Sequence, residues 1–294
     1  MCKVLSFGEL LWDDYGDRQI IGGAPFNYAA HCSQLGLDVA FLTAVGKDAL
    51  GEKSIEQIKK FKVLTKLVQE KDDFPTGITA ITFNGDVPSY ELLQNTAYDN
   101  ITADENLILE IKDFSADCFY FGTVGQRGDV SQKTLEKIIK EVNFNTIFCD
   151  INFREGNIKP SAVENCLKFA NIIKISREEA HYLWDYGFCE QTDLNNLAKV
   201  LKSKFPNIEK LIITLDKDGA LGFDFSNDKE YKVEAYPCEF VSPVGAGDSF
   251  SAAVTSELLK GTDFENALKK ASKLASFVVS SKEAIPEYTN FFKE

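Results

Sequence analysis

Histidine is almost missing from this 294-residue chain: it has two, His31 and His181. That scarcity argues against a histidine-rich metal site and against a Ser-His-Asp triad. Both histidines lie in helix-like segments, so packed or surface helix positions are the plainer reading. His31 also follows the Gly22-Gly23 turn closely, which leaves a substrate contact open. Basic residues are in deficit as well, 32 Lys and Arg against 45 Asp and Glu, for a net charge of −13. Without a basic patch the chain cannot neutralise phosphates broadly, so neither nucleic acid nor an anionic membrane is an expected partner. Any phosphate it binds is held locally.

The seven cysteines, at 2, 32, 118, 149, 166, 189 and 238, include no Cys-x-x-Cys pair. Odd in number and widely spaced, they read as reduced residues of a cytoplasmic protein, mostly core filler. The opening stretch Met1-Cys2-Lys3-Val4-Leu5-Ser6-Phe7-Gly8 meets acidic residues at once, so it has neither the apolar run of a signal peptide nor a membrane-spanning length. No Gly-x-x-x-x-Gly-Lys-Ser/Thr occurs, which excludes P-loop chemistry, and no Gly-x-Gly-x-x-Gly follows the first strand-like run.

With 44% hydrophobic residues the chain can bury a substantial core. Short apolar runs recur at Val4–Gly8, Val39–Val45, Cys118–Phe121, Thr146–Cys149, Ile172–Ile175 and Leu211–Leu215, alternating with helical patterns. This predicts an α/β fold in which helices cover a mostly parallel sheet. Pro25 suits a first helical turn and Gly36 a stop. Asp263 suits a cap on a helix striped by Phe264, Ala267, Leu268, Ala271, Leu274, Ala275 and Val278. Trp12–Ile21 and Gly77–Leu93 break the alternation, mixing strand formers with charges. They predict a small sheet serving as a lid on a single domain spanning residues 1–294, with lid segments at about 12–21 and 77–93.

Ligands in open α/β sheets bind beyond the carboxyl ends of strands, and five clusters occupy such positions. In Gly245-Ala246-Gly247-Asp248, glycines and a small residue open a helix striped by Phe250, Ala253, Val254 and Leu258. Its N–H groups could converge on a phosphoryl group beside the Asp248 carboxylate, although Asp is also an ordinary N-cap. Gly22-Gly23-Ala24-Pro25-Phe26-Asn27, preceded by Asp13, offers close backbone approach and polar groups suited to sugar hydroxyls. A plain turn explains it too. In Asp150-Ile151-Asn152-Phe153-Arg154, alternation would point Asp150, Asn152 and Arg154 one way, with the guanidinium free for a phosphate or carboxylate or paired with Asp150. Ser176 and Glu179 read either as a capping box or as a site where Glu179 orients hydrated magnesium. Thr214–Gly219 reads either as a nucleotide-phosphate loop or as a hairpin turn.

Two of these clusters, Gly22-Gly23-x-Pro25-x-Asn27-x-Ala29, with Gly36 and Gly46 downstream, and Ser242-Pro243-Val244-Gly245-Ala246-Gly247-Asp248-x-x-x-Ala252-Ala253, resemble the two signatures of the PfkB (ribokinase-like) carbohydrate kinases. The others fall between them in that family's order. Trp12-Asp13, the Gly-Gly-Ala-Pro-x-Asn run and Asp-Ile-Asn-Phe-Arg look most like bacterial fructokinases. The resemblance implies a ribokinase-like three-layer sandwich with a small β-sheet lid. It implies a sugar kinase using ATP and Mg2+, fructokinase foremost. Kinases for 2-keto-3-deoxygluconate, ribose or a nucleoside remain alternatives, as does a catalytically idle binding subunit.

On this resemblance Asp248 is the base, and Gly245, Ala246 and Gly247 form the anion hole. Asp13, Gly22, Gly23, Asn27 and Arg154 hold the sugar. Ser176, Thr214, Asp216 and Gly219 lie along ATP, and Glu179 serves the metal. Three departures stand out. Ser242-Pro243 and Glu283 occupy places that shape a monovalent-cation site in many relatives, so potassium activation is not expected. Asp216 replaces a glycine in the nucleotide turn. The lid sheet has a face or edge to cover, compatible with a homodimer through the lid.

Overall fold

The computed structural model describes residues 1–84, 87–154, 156, 159–185, 187–289 and 291. The N-terminal half runs β1 (Lys3–Phe7), β2 (Leu11–Asp14), β3 (Gln19–Gly22), α1 (Ala24–Gln34), β4 (Asp38–Gly46), α2 (Ala49–Lys60), β5 (Val68–Lys71), β6 (Gly77–Asn84), β7 (Val87–Leu92), α3 (Glu105–Phe114) and β8 (Cys118–Gly122). Then follow α4 (Asp129–Glu141), β9 (Thr146–Asp150), α5 (Pro160–Phe169), β10 (Ile172–Ser176), α6 (Arg177–Asp185), α7 (Leu194–Lys204), β11 (Lys210–Thr214), β12 (Ala220–Asp224), β13 (Lys229–Val233), α8 (Ala246–Leu259) and α9 (Phe264–Val279).

The main sheet has the order β13-β12-β11-β10-β9-β8-β1-β4-β5. From β11 to β5 every pairing is parallel, and β12 and β13 add antiparallel strands at one edge. Successive strand residues enter opposite faces, as the pleat requires. On one face Leu5 and Phe7 join a continuous core that also contains Ile111 of α3, Leu135 of α4, Leu167 of α5 and Leu201 of α7. Val4, Val39 and Phe41 pack with Phe26 of α1, Val254 of α8 and Leu274 of α9 on the other. Burial on both faces is why these strands read as uninterrupted apolar runs. The edge strands β5 (VQEK) and β13 (KEYKV) are polar and carry no such run, so sequence pattern alone does not reveal them.

Helix punctuation follows the sequence closely. Pro25 lies in the first turn of α1, Gly36 follows its end at φ +86°, and the Asp263 carboxylate accepts from the Asn266 N–H at 3.0 Å to cap α9. Tyr28 joins α1 to the body by stacking on Tyr120 at 3.6 Å between ring centres, while its hydroxyl bonds Thr255 of α8 at 2.9 Å.

The segments that broke the alternation build a second sheet, order β3-β2-β6-β7, in which β2 and β6 are parallel and the outer pairs antiparallel. Gly85 and Asp86, inside the expected segment 77–93, lie outside the described residues. Buried polar groups tie this sheet to the body. Arg127, after β8, makes a bidentate pair with Asp99 at 2.7 and 2.8 Å, lies over the Tyr98 ring and donates to the Leu93 carbonyl just after β7. Asp99 also accepts from the Thr96 N–H at 2.8 Å. Removing one member of a buried pair leaves the other charge uncompensated. Arg127→Met should therefore lower stability by about 3–5 kcal/mol, read as a reduced urea midpoint, with the Lys47→Met change at an exposed pair as the near-neutral control.

Candidate active site

Parallel strands bring their carboxyl ends to one edge of the sheet, and the register aligns the chemistry there. Ser176 lies beside Thr214, Lys174 beside Asp150, and Asp150 beside Gly122. Glu9 follows β1 on the same edge, and the N-terminus of α8 arrives over it.

Gly245 is the N-cap of α8 at φ +83°, and a Cβ there would sit 2.2 Å from the Ala284 carbonyl oxygen. Only glycine meets both demands. The Ala246 N–H bonds the Pro243 carbonyl at 3.3 Å, leaving the Gly247 and Asp248 N–H groups without a partner among the described residues. Unsatisfied first-turn donors at the positive end of a helix dipole form an anion site. The capping explanation of Asp248 is overturned here: it is the third helical residue, and its Oδ2 accepts from Asn27 Nδ2 at 2.8 Å, across 221 positions of chain. Burial pushes the Asp248 carboxyl up to about 6. The Asn27 bond opposes the shift, Asp150 adds to it, and Lys174 and Arg154 oppose it.

The opposite end of the site is built on Glu9. Its carboxylate accepts from its own N–H and from that of Ala24, the first residue of α1, whose N-cap Gly23 supplies no side chain. Gly23, at φ +105°, packs so closely that a Cβ would lie 2.5 Å from the Glu9 carbonyl oxygen. Glu9 is 3% exposed, and burial drives it up to about 7, with Arg154 opposing and Asp248 reinforcing. Its Oε2 and Asn27 Oδ1 are both buried without partners among the described residues. Asp13 lies in β2 opposite β3, with its Oδ2 against Gly22; its carboxyl is raised by burial despite the Thr79 bond and Arg154. Asp13, Gly22, Gly23, Asn27 and Asp248 are thus brought together.

Arg154 is exposed and acts on Asp13, Glu9 and Asp248 through its charge. The expected common direction of Asp150, Asn152 and Arg154 does not hold. The strand ends at Asp150 and Asn152 turns to φ +45°, which breaks the alternation. Asp150 pairs instead with Lys174, Nζ to Oδ2 at 2.7 Å, both buried, and the same oxygen accepts from the Ser251 hydroxyl at 2.9 Å.

Ser176 and Glu179 form the capping box: the Ser176 hydroxyl accepts from the Glu179 N–H at 3.1 Å, and Glu179 Oε2 accepts from the Ser176 N–H at 2.7 Å. Glu179 Oε1 reaches further, to the Phe153 N–H at 2.6 Å, joining the loops after β9 and β10. Its carboxyl is raised by burial and by Asp150, against Lys174 and these amides. Among the described residues no three His, Cys, Asp or Glu side chains gather into a metal cage. A carboxylate already occupied by two amides suits the outer shell of a hydrated magnesium ion, which keeps most of its waters.

Thr214 closes β11, its hydroxyl 3.4 Å from the Ile175 carbonyl. The loop after it is a hairpin into β12, with Asp216 at φ +51° and Gly219 at φ +90°. Asp216 is raised by burial and by neighbouring Glu178. This loop lies two strands from Asp150 and, among the described residues, shares no bond with the Asp248 cluster.

Sequence reasoning passed over Glu9 and Lys174. The signals were there: a lysine inside the apolar run Ile-Ile-Lys-Ile-Ser has to be paired, and a glutamate directly after a buried strand has to be satisfied. His31 proves to be a packing residue, bonded through Nε2 to the Ala284 carbonyl at 3.0 Å and through Nδ1 to the Tyr288 hydroxyl, with burial lowering it to about 3. A cavity of about 620 Å³ lined by His181, Trp184, Cys189 and Lys204 lies at the far end of α6 and includes none of the site residues.

Comparison with known proteins places this geometry. The family model described as pfkB family carbohydrate kinase matches residues 8–290. An uncharacterized sugar kinase of Pyrococcus horikoshii is 29% identical over 300 residues, covering 94% of this chain and 88% of the relative. Its crystal structure superposes with a TM-score of 0.82 over 99% of this chain and 97% of the other at 27% identity, and it has also been solved in complex with ATP. An ATP-dependent 6-phosphofructokinase of Thermoanaerobacterium thermosaccharolyticum is 26% identical (93% and 87% covered), and a fructokinase of Rhizobium leguminosarum 28% (87% and 79%).

The raised Asp248 carboxyl has a consequence for stability. Its value in the folded protein, about 6, exceeds the ordinary 3.8, so the folded state holds the proton more tightly. Ionisation above pH 6 therefore costs stability, and that loss is recovered as pH falls from 6 towards 4. Asp248→Asn should be more stable than wild type at pH 8 by about 2 kcal/mol, with the gap closing at pH 4–5. Urea unfolding at the two pH values measures it, and equal gaps at both would contradict the assignment.

Proposed function

Because the chain belongs to the pfkB family of carbohydrate kinases, we propose that it transfers the γ-phosphoryl group of ATP to a hydroxyl of an unphosphorylated sugar, fructose in the first place. The observation that carries this reading is the start of α8, where two unspent N–H groups adjoin a carboxylate aligned by Asn27. Phosphoryl transfer needs positioning and charge stabilisation above all, and these elements supply both.

In this reading Asp13, Gly22, Gly23 and Asn27 grip the sugar, with Arg154 at the rim. Asp248 accepts the hydroxyl proton as the oxygen attacks. Gly245, Ala246 and Gly247 shape the turn that receives the phosphoryl charge. Thr214, Ser176, Asp216 and Gly219 line the nucleotide end of the same edge. Glu179 would orient the waters of a magnesium ion, which when bound neutralises the phosphates. The small sheet closes over the sugar and excludes water, so that ATP is not hydrolysed unproductively.

Charge supports an unphosphorylated acceptor. Glu9, Asp13 and Asp248 surround the sugar end with Arg154 as their countercharge, and a sugar phosphate would bring two further negative charges. The fructokinase relative supports fructose. Arg154, exposed and planar, favours one second reading, a sugar acid whose carboxylate it would pair.

Kinetics on a panel of sugars and sugar acids, with identification of the product, tests the proposal. Fructose should give the highest kcat/KM, and Asp248→Asn should lower kcat by about 10²–10⁴-fold. On the acid side kcat/KM should fall below pH 6, as Asp248 takes up its proton. Wild-type inactivity across the panel, or full activity of Asp248→Asn, would refute it.

A further inference from the structure

One buried cation has no task in the reading above. Lys174 is 4% exposed, and its Nζ lies against Gly247 from below: a Cβ on Gly247 would sit 3.4 Å from Nζ and 4.0 Å from Cε. We infer that Lys174 assists the transfer through its charge, its ammonium ion offsetting that of the transferring phosphoryl group from beneath the Gly245–Gly247 turn. This rests on the kinase reading and adds a residue to it.

Three observations carry it. The first is valence. An ammonium has three N–H donors, and among the described residues Asp150 Oδ2 is the acceptor it meets, at 2.7 Å. That oxygen also takes the Ser251 hydroxyl, so the pair is satisfied on the carboxylate side while Lys174 keeps donors in hand. Buried donors left unspent are costly, and they show that one carboxylate contact does not exhaust the ammonium's charge.

The second is placement. Gly247 is exposed and carries no side chain, so at this point the bare backbone of α8 separates Nζ from the mouth of the site. The unpartnered N–H groups of Gly247 and Asp248 lie at the same spot. Cation and amides therefore act on one anion.

The third is charge balance. Asp150, Glu179 and Asp248 converge here, with Glu9 acting on Asp248 from the far end, and among the described residues the cations acting on them are Lys174 and Arg154, while Arg127, already paired with Asp99, acts on Glu9. Arg154 is exposed and serves the sugar end, so Lys174 is the buried positive charge at the phosphate end. Burial works against its ammonium, but Asp150, with Glu179 and Asp248 beyond, holds it above the ordinary lysine value.

In the transfer, the sugar oxygen forms a bond to the γ-phosphorus while the bond from that phosphorus to the β–γ bridging oxygen breaks. ADP leaves with the electron pair, and the hydroxyl proton passes to Asp248. Lys174 exchanges no proton; it lowers the energy of the charge that builds on the phosphoryl oxygens.

A purely structural role, pairing β9 with β10, is the competing explanation, and one double variant separates the two. Lys174→Ala alone strands Asp150 as an uncompensated buried charge, so it is combined with Asp150→Asn, which removes both charges. Thermal unfolding confirms that the double variant is folded. Its kcat for fructose should fall about 10²-fold, with ADP affinity within threefold of wild type. Inhibition by ADP with fluoroaluminate and sugar, a mimic of the transferring phosphoryl group, should weaken by a similar factor. Ethylammonium, entering the space left by the lysine, should restore kcat in a saturable way.

A double variant with kcat within threefold of wild type, or a loss that ethylammonium leaves untouched, would overturn the role of Lys174 while the kinase reading stands. A wild type inactive on every sugar would remove the kinase reading, and this inference with it.

Discussion

Keeping four carboxyl groups out of water at one edge of the sheet is the constraint on which the rest of this molecule is built. Glu9, Asp150, Glu179 and Asp248 are linked in a chain of like charges: Glu9 feels Asp248, Asp248 feels Asp150, and Glu179 feels Asp150. Desolvated like charges are tolerable only when each is given donors or a countercharge. The fold meets that demand with backbone amides for Glu9 and Glu179, an ammonium and a serine hydroxyl for Asp150, and an asparagine for Asp248. The amides belong to loops after β1, β9 and β10, so the parallel sheet is also the device that distributes donors. Glu9, Glu179 and Asp248, held above their ordinary values by burial, reduce stability at neutral pH, a cost that reactive sites commonly carry.

The two ends of the edge differ in chemistry. Around Glu9, Asp13 and Asn27 the groups are carboxylates and amides, the mixture that pairs with neutral hydroxyls. Around Lys174 and the first turn of α8 they are an ammonium and unspent N–H groups, which favour an anion. Asp248 stands between: burial raises its carboxyl to about 6, and groups at both ends, Asn27 at one and Asp150 and Lys174 at the other, adjust that value. Selectivity and transfer are in that sense one arrangement read from opposite sides.

Much of this was legible in the sequence wherever function left a local trace. Apolar runs marked the six central strands, because a strand buried on both faces can be little else, and the paired glycines marked the turns where side chains do not fit. The segments with neither pattern became the second sheet. What stayed hidden depends on distance along the chain. Asp248 looked like a helix cap until Asn27, from the other end of the sequence, was seen to take its carboxylate. Asp150 and Arg154, neighbours in sequence, had seemed a natural pair, but the chain leaves the extended conformation between them and Asp150 meets Lys174 on the next strand. For Ser176 and Glu179 the structural explanation holds in full, and any further role works through the same atoms.

Gly245 rests on the carbonyl of Ala284, which His31 holds in turn, while Asp248 waits for Asn27. The turn is therefore closed by residues from both ends of the sequence, although it lies within one short stretch. A growing chain that has reached Asp248 carries every atom of the turn and none of its shape. The turn is in this sense a long-range structure, given its shape by residues 27 and 284 and not by its own stretch of chain.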